Sequence, residues 1–206
     1  MIRNLITIQH AQSEHHLNGM VGSWNDWPLT ELGQKQAENI GRNLSAELAG
    51  QSYKICCSDL TRARQTAAPL SRYMGIEVEY REELREWNLG SAIIGKSKQW
   101  VDENSQPVKT LDDRRFPDAE STRDFWNRIS AFYDELSAND YDHIIIVSHG
   151  AWLWYWPAIW LGLDIKIVEK GGFYGSAGSV SFMGETGEGK RLIRRLNDSW
   201  YMKNPA

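Results

Sequence analysis

The chain has 206 residues, 41% hydrophobic and 24% charged, with a formal net charge of −4. These proportions fit one globular domain, and the negative balance supplies no basic field to recruit nucleic acid. No apolar run approaches the roughly 18 residues that span a bilayer, and "MIRNLITIQHA" turns polar too soon for a secretory signal.

Residues 4–9 are apolar and predict a strand that runs into His10. The segment "PLTELGQKQAENIGRNLSAELAG" predicts a helix with Thr30 as N-cap and Gly50 as stop. Its Leu32, Ala37, Ile40, Leu44 and Leu48 fall near helical spacing. Residues 53–58 predict a second strand carrying Cys56 and Cys57. Adjacent cysteines are poorly placed to pair, which points to a reducing, cytoplasmic setting. Cys57 is expected as a buried strand residue, not a nucleophile. A helix over 60–73 ends before Gly75, and a short strand follows over 76–80.

Residues 91–119 are polar and lack clear periodicity, so they are expected to form a lid or insertion over one end of the sheet. "STRDFWNRISAFYDELSAND" predicts an amphipathic helix with Phe125, Ile129, Phe132, Tyr133 and Leu136 on one face. "HIIIVSHG" shows no alternation, as a strand buried on both faces would. Residues 151–163 predict a buried helix, and four of the chain's ten tryptophans fall in its "WLWYWPAIW". The core is the first reading of that stretch; an oligomer face, giving a homodimer, is the other. "SVSFMG" and "KRLIRRLN" predict two strands around a glycine-rich turn. The alternation implies an α/β class fold, a three-layer α/β/α sandwich with a mostly parallel sheet. One domain over 1–206 is expected, with the lid over the carboxyl ends of the strands.

His10 and His149 each end a strand, and open parallel sheets bind ligands beyond those ends. "CSDLTRARQTA" sets Arg62 and Arg64 at a helix start, where free amides and the dipole favour an anion. Arg62 is assigned to the site and Arg64 to solvent. Two histidines, an arginine and a helix terminus at one sheet edge make a phosphate-shaped site. A neutral imidazole is a good nucleophile, and arginine grips phosphate oxygens with a permanent charge. A carboxyl can protonate the leaving oxygen and then deprotonate water. No metal or cofactor is then required. A metal held by His10, His15, His16 and His149 is set aside, since no pair has an established ligand spacing. His15 is placed at the rim or in solvent.

The motifs "IQHAQSE", "DWPLTELG", "SDLTRARQTA", "LREWNLG" and "VSHGAW" occur in this order across nearly the whole chain. Together they resemble the histidine phosphatase superfamily, of phosphoglycerate-mutase-like fold. The resemblance implies His10 as a nucleophile that becomes phosphorylated, with Arg62 and His149 on the phosphoryl oxygens. It implies Glu86 as proton donor, with Glu82 and Glu83 as surface charges beside it. Gln9, His16, Ser23, Arg62, His149 and Gly150 are the implied substrate-binding residues. The implied activity is metal-independent hydrolysis of a small phosphorylated metabolite, without nucleic-acid or membrane partners.

The chain also departs from the family. The usual Arg-His-Gly is Gln9-His10-Ala11 here, so one clamping charge is missing and a methyl is added. The usual Asn six residues after the nucleophile is His16, which is expected to recover positive charge. Two alternatives stay open: mutase-type phosphoryl transfer, and a phospho-ligand binding protein whose chemistry has been lost. Against the mutase, "EWNLGSAIIGKSK" matches that group's sequence after the catalytic Glu poorly. Lys109, Arg114 and Arg115 either pair with a second acidic group of the substrate or belong to a solvated loop.

Overall fold

The computed structural model describes residues 2–139 and 141–203. Six strands form one mixed sheet: β1 (Asn4–Gln9), β2 (Lys54–Ser58), β3 (Val78–Arg81), β4 (His143–Ser148), β5 (Val180–Glu185) and β6 (Arg191–Asp198). The spatial order is β3-β2-β4-β1-β5-β6, parallel from β3 to β1, with β5 antiparallel to both of its neighbours. The helices are α1 (Glu31–Glu47), α2 (Thr61–Met74), α3 (Lys98–Asn104), α4 (Thr122–Ala138) and α5 (Gly150–Trp160).

The strands alternate between two buried faces. Ile6, Ile8, Ile55, Cys57, Ile145 and Val147 pack with Ile40 and Leu44 of α1 and Ala63, Ala67 and Leu70 of α2. Leu5, Cys56, Ile144 and Ile146 pack with Phe125, Ile129 and Phe132 of α4 and Trp152 and Trp156 of α5. Helices on both faces make the three layers, and they explain why β4 reads as one continuous apolar run. Cys56 and Cys57 are free and buried, and burial pushes the thiols up, Cys56 to about 12.

Several boundaries differ from expectation. The Thr30 side chain does cap α1, accepting from Gly33 N. The helix ends at Glu47, and Gly50 sits beyond it in a turn at φ 81°. β3 begins at Val78, two residues later than expected. Ser121 and Asp124 form a capping box on α4; Asp140 of the expected helix lies outside the described residues. The 91–119 segment is more ordered than its sequence signals. It contains α3, whose N-cap Ser97 accepts from Trp100 N. Ile93, Val101, Phe116 and Ala119 form a small core there with Val21. These apolar residues are scattered singly and give no period to read.

In α5, Trp152, Trp156 and Trp160 are fully buried. The rings of Trp152 and Trp156 stack at 4.6 Å. Trp154 points outward. Among the described residues no helix is long and apolar enough to cross a membrane.

The start of α1 meets the loop after β1 at Gly33, where a Cβ would stand 1.9 Å from Gln12 O. The contact is with backbone, so no side chain can swing away. Gly33→Ala is therefore expected to cost about 1–3 kcal/mol and to lower Tm by roughly 2–12 °C. A thermal melt equal to wild type would show that the loop gives way freely.

Candidate active site

The parallel register sets Gln9 opposite Ser148, and His10 N donates to Ser148 O at 2.9 Å. The next residues along each strand are therefore neighbours, and the His10 and His149 rings lie 5.1 Å apart. His10 Nδ1 is 2.9 Å from Ala11 O. A carbonyl only accepts, so Nδ1 carries the proton and Nε2 keeps its lone pair. Burial, reinforced by the charge of Arg62, holds both histidines well below the ordinary range, so both are neutral at pH 7.

Arg62 is fully buried in the first turn of α2. Its Nη1 donates to Asn25 O at 2.9 Å and its Nη2 to Ser23 O at 2.7 Å. Burial lowers it to about 10, which leaves it cationic. His149 Nε2 lies 2.8 Å from Ser58 Oγ. Arg62 Nε, His149 Nδ1 and Gln9 Oε1 are all buried without a hydrogen-bond partner. Buried polar atoms are nearly always paired, so three orphans on three residues of the expected phosphate site point to an absent polar ligand. The first turn of α2 corrects its own expectation as an anion site. Thr61 N is already taken by Asp26 Oδ1 at 2.6 Å. The helix terminus beside the histidines is that of α5, with His149 as its N-cap.

Glu86 is half-buried, and its carboxylate accepts from Trp87 N at 2.9 Å and Ala151 N at 3.2 Å. Desolvation by burial raises its pKa despite those bonds and the charge of Arg62. Its backbone is braced from outside: Trp24 Nε1 donates to Glu86 O at 2.7 Å, and Arg128 Nη2 does so at 3.1 Å. Arg128 also donates to Glu83 O and Arg85 O, and its Nε pairs with Glu120 at 2.7 Å. Glu83 and Glu82 are spent on Arg81 and Arg85. Arg64 is exposed and lies over Tyr80.

A cavity of about 380 Å³ opens over this floor, with His15, His16, Ser23, Glu86, Lys98 and Arg115 in its wall. Lys98, on the unforeseen α3, is a cation that the sequence reading missed. Of the three basic residues weighed in that segment, only Arg115 lines this cavity; Arg114 pairs with Asp124 at 2.6 Å. His15 is buried rather than at a solvent rim. The expected charge compensation by His16 is overturned, because burial and the charge of Lys98 lower its pKa and leave it neutral. Ser23 lines the cavity, but its hydroxyl donates to Trp87 O at 2.7 Å and accepts from Leu89 N at 3.0 Å. Its φ of 45° is a strained, left-handed conformation for a non-glycine residue.

The Ala11 methyl fits without displacing the loop. The residue is fully buried with Leu29 and Ala37, and its N–H donates to Thr66 Oγ1 at 3.0 Å. Gly150 abuts Gln9, whose Nε2 would stand 3.3 Å from a Cβ there. His10, His15 and His16 present ring nitrogens within 4.8 Å of one another. That spacing has the geometry to hold a metal ion, whereas the charges of Arg62 and Lys98 oppose a cation there.

Comparison with known proteins follows this geometry. The family model described as histidine phosphatase superfamily (branch 1) matches residues 5–199. A putative phosphoserine phosphatase 2 of Hydrogenobacter thermophilus is 28% identical over 74% of this chain and 75% of its own. A 2,3-bisphosphoglycerate-dependent phosphoglycerate mutase of Methylocella silvestris is 32% identical over 65% of this chain and 68% of its own. The solved alpha-ribazole phosphatase from Shigella flexneri superposes with a TM-score of 0.80 at 24% identity, covering 95% of this chain and 96% of that one.

The four neutral histidines make an acid-sensitive centre. A histidine whose folded pKa lies below its unfolded value binds its proton mainly in the unfolded chain. Stability is then complete above about pH 6.5 and falls as pH drops, by about 1.4 kcal/mol per unit for each such group. His15 is pushed down to about 3. His15→Asn should therefore flatten the fall in stability between about pH 6 and 4 by one proton's worth of slope. Urea unfolding across that range measures it; slopes matching wild type would mean that His15 is charged in the folded state.

Proposed function

The chain belongs to the histidine phosphatase superfamily, and on that premise we propose that it hydrolyses a small phosphate monoester through a phosphohistidine formed on His10. The observation that carries this reading is the floor of the site. The His10 ring, with its Nε2 bare, lies 5.1 Å from that of His149, Arg62 Nε and His149 Nδ1 are buried and unpartnered, and Glu86, its pKa raised, lines the adjoining cavity.

In the first step His10 Nε2 attacks phosphorus and the ester P–O bond breaks. Glu86 enters as the acid and gives its proton to the departing oxygen. Arg62 Nε–H donates to a phosphoryl oxygen. When the Ser58 hydroxyl donates to His149 Nε2, Nδ1 carries a hydrogen and donates likewise. In the second step a water attacks phosphorus, Glu86 takes its proton, and the P–N bond breaks to release inorganic phosphate and neutral His10. These two donors, on Arg62 and His149, are buried, and in the proposed reaction they are aimed where charge develops.

A mutase-type return of the phosphoryl group to an acidic acceptor is the second reading, favoured by the two cations Lys98 and Arg115 in the cavity wall. Free, buried Cys56 and Cys57 fit a reducing compartment. Incubation with a radiolabelled phosphate ester should give an acid-labile, base-stable label on His10. Release of inorganic phosphate marks the hydrolase, and label recovered on an acceptor acid marks the mutase. His10→Ala should abolish both label and turnover; retained turnover would sink the assignment.

Glu86→Gln should slow alkyl phosphates far more than nitrophenyl phosphate, because an alkoxide needs the proton and a nitrophenolate needs much less help. The alkyl-to-nitrophenyl rate ratio is the measurement. An unchanged ratio would place the proton donor elsewhere.

A further inference from the structure

A second cavity, of about 320 Å³, shares Trp87 and Ala151 in its wall with the first. Its remaining lining is Gly150, Trp154, Tyr155, Tyr174 and Gly175. Four aromatic side chains thus meet with no charged group among them. The first cavity, with Lys98 and Arg115, suits an acidic group; this one does not. Trp154 and Tyr174 are 38% and 72% exposed. The Trp154 indole packs over Gly172, where a Cβ would lie 1.6 Å from its Nε1.

The position of this cavity relates it to the chemistry. Its shared wall residues, Trp87 and Ala151, are the two whose N–H groups hold the Glu86 carboxylate. The shared wall therefore sets this cavity next to the carboxyl that, in the proposed reaction, protonates the departing oxygen. The other edge touches Gln9, which is 7% exposed and whose Oε1 lacks a partner. A side-chain carbon at Gly175 would come within 2.9 Å of that oxygen. An unpaired acceptor at the junction of phosphate floor and aromatic cavity suits a ligand that offers a donor there.

We propose that this second cavity is the leaving-group subsite and takes a flat aromatic or heteroaromatic ring. The substrate class is then a phosphate monoester of an alcohol that carries such a ring. The assignment rests on the phosphohydrolase reading above for its chemistry, and on the cavity alone for its ring.

The test compares 2-(1-naphthyl)ethyl phosphate, 2-cyclohexylethyl phosphate and butyl phosphate on the full chain. Their leaving groups are all primary alcohols, so chemistry is matched and only the ring differs. The naphthyl ester should show the highest kcat/KM. Trp154→Ala and Tyr174→Ala should each lower it about 2- to 12-fold, the range of one aromatic contact. Both should lower butyl phosphate much less than the naphthyl ester, and Trp154→Phe should keep most of the preference. A naphthyl ester no better than the cyclohexyl ester would overturn the proposal, as would variants that lower all three esters alike. If no ester is turned over, the phosphohydrolase reading fails, and calorimetric binding of the naphthyl ester decides the subsite separately. Weaker binding to Trp154→Ala supports it, and equal binding overturns it. Self-association lost in Trp154→Ala with ester kinetics unchanged would assign the cavity to a second copy and also overturn it.

Discussion

The parallel pairing of β1 with β4 is the constraint on which the site depends. It sets Gln9 against Ser148, so the next residue of each strand is a histidine and the two rings face one crevice. Strand side chains alternate with a period of two, so a slip of one residue would turn every side chain to the opposite layer. Here both layers are apolar, and burial alone does not forbid the slip. What fixes the register is shape: Ile6 and Ile8 fit α1 and α2, while Leu5 fits the tryptophan layer of α5. The fully buried Trp152, Trp156 and Trp160 are too large to accept the other set. The tryptophan-rich helix thus positions the site, and its N-terminal end, from the N-cap His149 to Ala151, forms part of that site.

Arg62 then organises the loops. A buried guanidinium must be satisfied by acceptors, and carbonyls of residues 23 and 25 supply them. That demand holds Ser23 in its left-handed conformation, and the Ser23 hydroxyl in turn clips the 87–89 backbone. Arg128 holds the same stretch from the other side through the carbonyls of residues 83, 85 and 86. Glu86 is placed between these two buried or half-buried cations by main-chain bonds, which constrain position better than a long side-chain ion pair does. The unpaired Nε of Arg62 carries a desolvation cost of about 1–3 kcal/mol. A phosphoryl oxygen bound there would relieve it.

The sequence was legible where one residue and its immediate neighbours carry the signal. His10 and His149 close apolar strands, Arg62 opens a helix, and Thr30 announces its own. Glu86 was separable from Glu82 and Glu83 only through family resemblance, since three carboxylates in one run look alike until their partners are known. What stayed hidden depended on distant pairing. Asp26 occupies the α2 amide from 35 residues away, and Arg128 braces Glu86 from 42 residues away. Lys98 was missed because α3 has only seven residues and its core is completed by Val21 from another loop. The state of His16 was misjudged for an electrostatic reason: a histidine beside Lys98 and Arg62, partly out of water, does not add a third positive charge.

These points change the meaning of Gln9 and Ala11. A decayed phosphate loop would leave a void or a misfit where the usual residues were lost. Ala11 leaves none, being packed with Leu29 and Ala37 and tied to Thr66, whereas Gln9, against Gly150 and Gly175, keeps a buried Oε1 without a partner. The neighbouring histidines are neutral as well, so Arg62 is the charged group among the residues around the phosphoryl position. Further out, Lys98 and Arg115 stand in the cavity wall. In the proposed reaction these two cations, with Asp102 beside them in the same wall, would face the remainder of the substrate. Losing one charge-assisted hydrogen bond at the phosphoryl group costs about 1.5–3 kcal/mol, roughly a ten- to hundred-fold slower chemical step. Charge and aromatic surface placed further out recover binding only for substrates that reach them. In the proposed reaction, a site built this way gives up rate on simple phosphate esters and gains discrimination among larger ones.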